Sequence, residues 1–276
     1  MTKVPNITLN TGAQIPQLGY GVFLVPADEV VEPVRNALQA GYRSIDTAAA
    51  YGNEEGVGKA IAESGIARED LFITTKLWND SQGYDKALQA FDDSLTRLGL
   101  DHVDLYLIHW PQPTRDLFVD TWKALEKVHA EGRAKAIGVS NFQIPHLRRL
   151  FEETDVVPAL NQIELHPNLP QSDLRAFHNE HGIATEAWSP LGRNNGLLDS
   201  DTVTSLAEKY DKAPGQIVLR WHVQLGNVTI PKSVTPARIE QNIDVFDFEL
   251  ADDDMAALTA LETGVRVGPD PDQFND

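Results

Sequence analysis

Apolar and β-branched residues recur along the chain in short runs, and the stretches between them repeat their apolar positions every three or four residues. The clearest runs are 71–76, 103–109, 136–140 and 228–232; weaker ones cover 19–23, 42–47, 160–165 and 184–189, which makes eight. Continuous runs of this kind suit strands buried on both faces of a parallel sheet. Between them, Leu88, Phe91, Leu95 and Leu98 fall at helix-face spacing. So do Phe118, Trp122, Leu125 and Val128, and again Val203, Leu206, Ala207 and Tyr210. Gly41, Gly99, Gly132, Gly182 and Gly226 each follow a helical run and precede a strand, where a left-handed residue can stop a helix. The polar residues at the strand ends are Asp46, Lys76, His109, Ser140, Glu164, Ser189 and Lys232, separated by 30, 33, 31, 24, 25 and 43 residues. One βα unit takes about 30 residues. The long last gap has room for two helices, predicted over 201–211 and 214–225. The economical reading is an α/β fold, a (β/α)8 TIM barrel, with one domain covering residues 1–276. A hairpin over 7–15, turning at 10–13, precedes the first strand and is expected to plug the barrel's bottom. A helix and tail follow the last strand. An open doubly wound sheet is the alternative. It would usually place a Gly-x-Gly-x-x-Gly turn after its first strand, and neither Gly19-Tyr20-Gly21 nor the stretch from Gly52 to Gly58 has that spacing.

Composition narrows the function. None of the 276 residues is cysteine, which excludes disulfides, thiolate metal sites and cysteine nucleophiles and fits a reducing cytoplasm. The opening Met1-Thr2-Lys3 leads into no apolar run of signal-peptide length, and no stretch approaches the roughly 18 apolar residues of a membrane helix. A cytoplasmic protein is expected. The formal net charge is −18, from 23 basic and 41 acidic residues. That balance argues against nucleic acid or an anionic membrane as partner. The charge is uneven, however. Residues 243–276 hold eight Asp, two Glu and one Arg, a net of −9, and read as a solvated flap at the pocket rim. Residues 228–238 hold Lys232 and Arg238 and no acid. With no heptad pattern and no broad apolar stripe, a monomer is expected.

In a barrel of this kind the site lies at the C-terminal ends of the strands. Asp46, Lys76 and His109 end the second, third and fourth strands, and Tyr51 follows the second, so these four converge on one mouth. A phenol of pKa near 10 donates protons poorly at neutral pH. A nearby ammonium favours the phenolate, and a carboxylate keeps that ammonium charged. A histidine beside them can orient a carbonyl. This is a general-acid constellation suited to carbonyl reduction. Trp122 and Trp221 fall inside helical runs and read as packing, whereas Trp78, Trp110 and Trp188 fall at strand ends and can wall a pocket or stack on a flat cofactor ring. No metal is expected: the histidines lie on different elements, and the His178–His181 pair reads as a solvated helix face.

The residues also spell a known pattern. Gly41-Tyr42-Arg43-Ser44-Ile45-Asp46-Thr47-Ala48-Ala49-Ala50-Tyr51-Gly52-Asn53-Glu54 resembles the first signature of the aldo-keto reductases. Lys76-Leu77-Trp78, Leu105 to Pro111, Ala136 to Phe142 and Ile230-Pro231-Lys232-Ser233-Val234 are similar to later blocks. Gly19 to Phe23, Asn161 to Pro167 and Asp244 to Phe248 resemble the short-loop prokaryotic branch that includes 2,5-diketo-D-gluconate reductase. The resemblance runs from about Ile7 to the end. It implies NADPH-dependent reduction of aldehydes and ketones, with keto-sugars, methylglyoxal-like dicarbonyls and aryl aldehydes as substrates. By that resemblance Tyr51 is the proton donor, Lys76 and Asp46 lower its pKa, and His109 orients the carbonyl. Ser140, Asn141 and Gln162 would bind the carboxamide and Trp188 would stack on the nicotinamide. Gly21, Ser189, Leu191, Ile230 and Val234 would complete the cofactor's bed. Lys232, Ser233 and Arg238 would clamp its 2′-phosphate, a role suited to a guanidinium fork and an ammonium. Gln241 and Asn242 would reach the adenine. Phe23, Trp78, Asn79 and Trp110 would wall the substrate pocket. Leu24 stands where the branch often has lysine, which leaves Arg193 and Arg266 as candidate anion anchors. A cofactor-sensing regulatory or structural protein on the same barrel is the competing class, and the intact tetrad favours the enzyme. A metal-dependent barrel hydrolase lacks ligands.

Overall fold

A computed structural model describes residues 4–275. The first three residues, on which the reading for a leader partly rests, and Asp276 of the acidic tail lie outside them. The chain opens with β1 (Asn6–Thr8) and β2 (Gln14–Pro16), an antiparallel hairpin in which Ile7 faces Ile15. Strands and helices then alternate: β3 (Tyr20–Gly21), α1 (Val31–Ala40), β4 (Ser44–Asp46), α2 (Glu54–Glu63), β5 (Phe72–Leu77) and α3 (Tyr84–Leu98). Next come β6 (Val103–Ile108), α4 (Phe118–Ala130), β7 (Ala134–Ser140), α5 (Ile144–Glu153), β8 (Leu160–Glu164), α6 (Ser172–Glu180) and β9 (Ala184–Trp188). The last part holds α7 (Asp201–Tyr210), α8 (Pro214–Gln224), β10 (Val228–Thr229), α9 (Pro236–Ile243) and α10 (Asp252–Thr259).

Strands β3 to β10 form one parallel sheet in sequence order. A parallel bridge from Leu18 to Thr229 joins its two ends, so the fold is the expected (β/α)8 barrel. All eight predicted strands are present, and most differences lie at their ends. β10 stops at Thr229, short of the predicted 232, because Pro231 has no N–H to continue a ladder. The five glycines expected to stop helices all adopt left-handed backbone, with φ between 65° at Gly99 and 109° at Gly41.

The main core lies between sheet and helices, where Trp122 and Trp221 are fully buried as packing residues. A smaller apolar cluster joins Leu9 and Ile15 of the hairpin to Phe72, Leu105, Leu107, Leu160 and Val228 of the strands. The hairpin therefore closes the barrel at the strands' N-terminal ends. Side chains alternate along a strand, so Phe72 in that plug and Lys76 four residues on share the barrel's inner face. Lys76 stands near the opposite, C-terminal mouth.

Candidate active site

Lys76 is fully buried, and its ammonium has three oxygen partners. It donates to Asp46 Oδ1 at 2.6 Å, to the Thr47 carbonyl at 2.9 Å and to the Tyr51 hydroxyl at 3.4 Å. β4 supplies the carboxylate, β5 the ammonium, and the turn after β4 the phenol. The Tyr51 and His109 rings meet at a steep angle with their centroids 5.7 Å apart. The four residues named from sequence thus meet at one point. Burial pushes the Lys76 ammonium toward losing its proton. Asp46, Tyr51 and Glu186 outweigh that and hold it above the ordinary lysine range. Burial pushes the His109 imidazole well below its ordinary range, and the Lys76 charge pushes the same way, so the ring is neutral.

Tyr51 departs from expectation in one respect. The resemblance implies that Lys76 and Asp46 lower its pKa. Here burial raises it, Lys76 lowers it, and Asp46, being negative, raises it; the net shift is upward. Asp46 helps only indirectly, by keeping Lys76 charged. The phenol is consequently held protonated, the form a general acid requires.

Aromatic rings surround this point. Phe23 lies 5.1 Å from the Tyr51 ring, Trp78 lies 5.2 Å from His109, and Trp110 stacks beyond His109 at 6.4 Å. Asn79, the fourth expected wall residue, is buried behind the surface. A ring that sequence reading missed completes the wall: Phe274 of the tail packs on Trp110 at 4.5 Å. Its signal, a lone aromatic in an acidic segment, was weak. The tail is at the rim as expected, but it is docked rather than solvated. Glu164 accepts hydrogen bonds from the Val267 and Gly268 amides at 2.6 and 3.0 Å, and Asn275 bonds Thr114. Of the two candidate anchors, Arg193 is at the mouth, 4.8 Å over Phe23 and 5.4 Å over Trp188.

The expected carboxamide residues are wired together. Asn141, in left-handed backbone, donates to the His109 carbonyl at 3.0 Å and to Ser140 Oγ at 3.1 Å. Its Oδ1 accepts from Trp188 Nε1 at 2.8 Å, which fixes the indole at the mouth. Ser140 Oγ donates to the Gln162 carbonyl, and Gln162 Nε2 donates to Asp46 Oδ2, both at 2.8 Å. Gly21 abuts Ile230, whose carbonyl would lie 3.1 Å from a Cβ there. Ser189, also left-handed, accepts from Arg193 Nε at 2.8 Å, and Leu191 is half-buried in the same loop. Lys232, Val234, Arg238 and Gln241 are exposed on the β10–α9 segment, while Ser233 and Asn242 are buried. Neither Lys232 nor Arg238 has an ion-pair partner among the described residues.

Two buried polar groups differ from the sequence reading or lie outside it. His178 is not solvated. It bridges Asn161 at 2.9 Å and Thr185 at 2.8 Å, linking α6 to β8 and β9, and burial pushes its pKa down to about 3. Leu174 and Phe177 share its buried helix face. Glu186, on the inner face of the barrel, was not singled out either.

Comparison with known proteins identifies the family. Residues 17–263 match the model of the aldo/keto reductase family. The chain is 58% identical over 271 residues to an aldo-keto reductase of Mycolicibacterium smegmatis, covering 98% of each chain. It is 52% identical over 269 residues to the methylglyoxal reductase DkgA of Escherichia coli, covering 97% of each. The crystal structure of a Gox0644 mutant in complex with NADPH superposes with a TM-score of 0.95 at 46% identity, covering 99% of each chain. A barrel whose mouth joins Asp46, Tyr51, Lys76 and His109 thus stands among proteins matched over nearly their whole length, and the chain belongs to the aldo/keto reductase family.

Proposed function

We propose that this chain, as one barrel domain, reduces small aldehydes and ketones with NADPH, and that Tyr51 donates the proton. The observation that carries the reading is the Tyr51 hydroxyl held 3.4 Å from a fully buried ammonium that Asp46 keeps charged. The residues fit the cofactor. Trp188 keeps part of its indole open while Asn141 fixes its orientation. Lys232 and Arg238, without an ion-pair partner among the described residues, stand in an acid-free segment of a strongly acidic chain. Ser140, Asn141 and Gln162 would hold the carboxamide, Trp188 the nicotinamide face, and Lys232, Ser233 and Arg238 the 2′-phosphate. Gly21, Ser189, Leu191, Ile230 and Val234 would line its path, with Gln241 and Asn242 at the adenine. Bound NADPH supplies the hydride.

The protein's own part is acid–base and steric. Neutral His109 offers an N–H to the carbonyl oxygen without adding charge. Tyr51 holds the proton that this oxygen takes up, and Lys76 stabilises the phenolate left behind. Phe23, Trp78 and Trp110, backed by Asn79, form an apolar wall that admits a small carbonyl and excludes water. The likeness to the methylglyoxal reductase of Escherichia coli supports methylglyoxal-like dicarbonyls as substrates. The reading of the chain as a monomeric, cytoplasmic enzyme is part of the same proposal.

The test is loss of NADPH absorbance at saturating methylglyoxal. Tyr51→Phe should lower kcat at least 100-fold, the size of a general-acid contribution, and leave NADPH binding, measured by fluorescence quenching, within about twofold. Turnover that survives in Tyr51→Phe would remove Tyr51 as the donor.

A further inference from the structure

A second carboxyl lies on the barrel axis that the proposed chemistry does not use. Glu186 on β9 is in register with Gln162 on β8 and is 1% exposed. Gln162 Nε2 donates one hydrogen to Glu186 Oε2 and the other to Asp46 Oδ2, each at 2.8 Å. Asp46 continues to Lys76, and Lys76 to the Tyr51 hydroxyl. Glu186 therefore stands at the far end of a line that ends on the proton donor. The charged groups facing it are Asp46 from β4 and Lys76 from β5; its neighbour on β10 is the apolar Val228. Two buried carboxyls here share one ammonium, and that ammonium is bonded to Asp46. A second negative charge would lie uncompensated in the interior, so one carboxyl keeps a proton. Burial first, and then the charge of Asp46, push the Glu186 carboxyl up to about 8.

We propose that Glu186 is a positioning residue for proton donation: through Gln162 and the Asp46–Lys76 pair, its ionisation sets the pH at which Tyr51 loses its proton. The proposal rests on Tyr51 as donor. Its sign follows from the charges. Near neutral pH Glu186 is uncharged. As it ionises, its negative charge opposes the phenolate and keeps Tyr51 protonated to higher pH. A conventional Asp46–Lys76 pair alone lacks this extension.

The experiment is the pH profile of kcat for methylglyoxal reduction and for the reverse alcohol oxidation, in wild type, Glu186→Gln and Tyr51→Phe. Glu186→Gln keeps the shape and the hydrogen bond to Gln162 but is neutral throughout. Its alkaline limb for reduction should move to lower pH by about 0.5 unit or more, a ~3-fold change in the ionisation constant. The onset of alcohol oxidation, which needs the phenolate, should move the same way. Superimposable wild-type and Glu186→Gln profiles, with turnover lost in Tyr51→Phe, would overturn the role of Glu186 while keeping the donor. Turnover retained in Tyr51→Phe would instead overturn the donor on which it rests. Infrared difference spectra of the wild type give a readout independent of turnover. A protonated-carboxyl band should be present at neutral pH, fade on alkaline titration and be missing in Glu186→Gln; no such band in the wild type overturns the proposal.

Discussion

Lys76 illustrates how one residue binds stability to function. Its ammonium is fully buried, bonded to a carboxylate, a carbonyl and a phenol, and each partner is needed for a different reason. Removing the carboxylate strands a buried cation, which typically costs about 3–5 kcal/mol. Arg238 is the contrasting case, an exposed guanidinium with no ion-pair partner among the described residues, whose loss should hardly affect the fold. Arg238→Ala should raise the KM for NADPH about tenfold, the size of a lost charged contact of roughly 1.4 kcal/mol, and change the KM for NADH less than twofold. Steady-state kinetics with both cofactors checks this; equal effects would remove Arg238 from the 2′-phosphate clamp. At this scale the sequence was uneven to read. Asp46, Tyr51, Lys76 and His109 were legible because each sits at or just after a strand end. Glu186 was not, because a buried carboxyl in mid-strand has no positional mark until register places it beside Gln162. His178 was misread because one-dimensional spacing cannot show that a helix histidine hydrogen-bonds to Asn161 and Thr185 on two neighbouring strands.

Elements were legible where periodicity was strong and illegible where long-range pairing decides. The eight strands follow from β-branched runs, and the plugging hairpin from its alternation. The tail has no periodicity after α10, and its place depends on partners far away in sequence. Glu164, at the end of β8, accepts from the amides of Val267 and Gly268 and lies 3.0 Å from His166 Nε2. Beyond it, Phe274 reaches Trp110. Gly268 is needed where the tail passes Trp188, since a Cβ there would lie 2.4 Å from Cη2 of the indole. The tail thus runs between the proposed cofactor-stacking ring and the pocket wall. Burial pushes Glu164 up, but His166 and the two amides outweigh it and hold the carboxyl below the usual range. A carboxylate with a lowered pKa stabilises the fold above its unfolded pKa, and the contribution is lost as pH falls through the folded value. Glu164→Ala should therefore raise the hydrogen-exchange rates of the Val267 and Gly268 amides more than tenfold, while β7 amides hold their protection. The same loosening should appear in the wild type on acidification. Unchanged exchange in the variant would mean that Phe274 and Asn275 hold the tail without Glu164.

Over the whole molecule, the charge of −18 faces a proposed cofactor that is itself an anion, and salt separates the two effects. Some acids of the C-terminal region are paired: Asp254 with Lys209 at 2.7 Å, and Asp247 with Lys212 at 2.6 Å. These pairs are partly exposed and individually weak. With 41 acids against 23 bases, repulsion among the unpaired carboxylates outweighs them. Raising NaCl shortens the screening length from about 30 Å at 0.01 M to about 3 Å at 1 M. The repulsion fades, and Tm should rise by a few degrees. The proposed clamp should respond in the opposite direction. Lys232 and Arg238 are exposed, so the attraction they offer a 2′-phosphate is screened as well, and the KM for NADPH should rise over the same range. The KM for NADH, which lacks that phosphate, should rise less. One salt titration, followed by calorimetry and by kinetics with both cofactors, therefore tests two claims with opposite signs. A falling Tm would mean that the ion pairs outweigh the net charge. An NADPH KM that falls with salt would mean that repulsion from the acidic surface outweighs the local pair of cations, and that the acid-free segment does not act as a clamp.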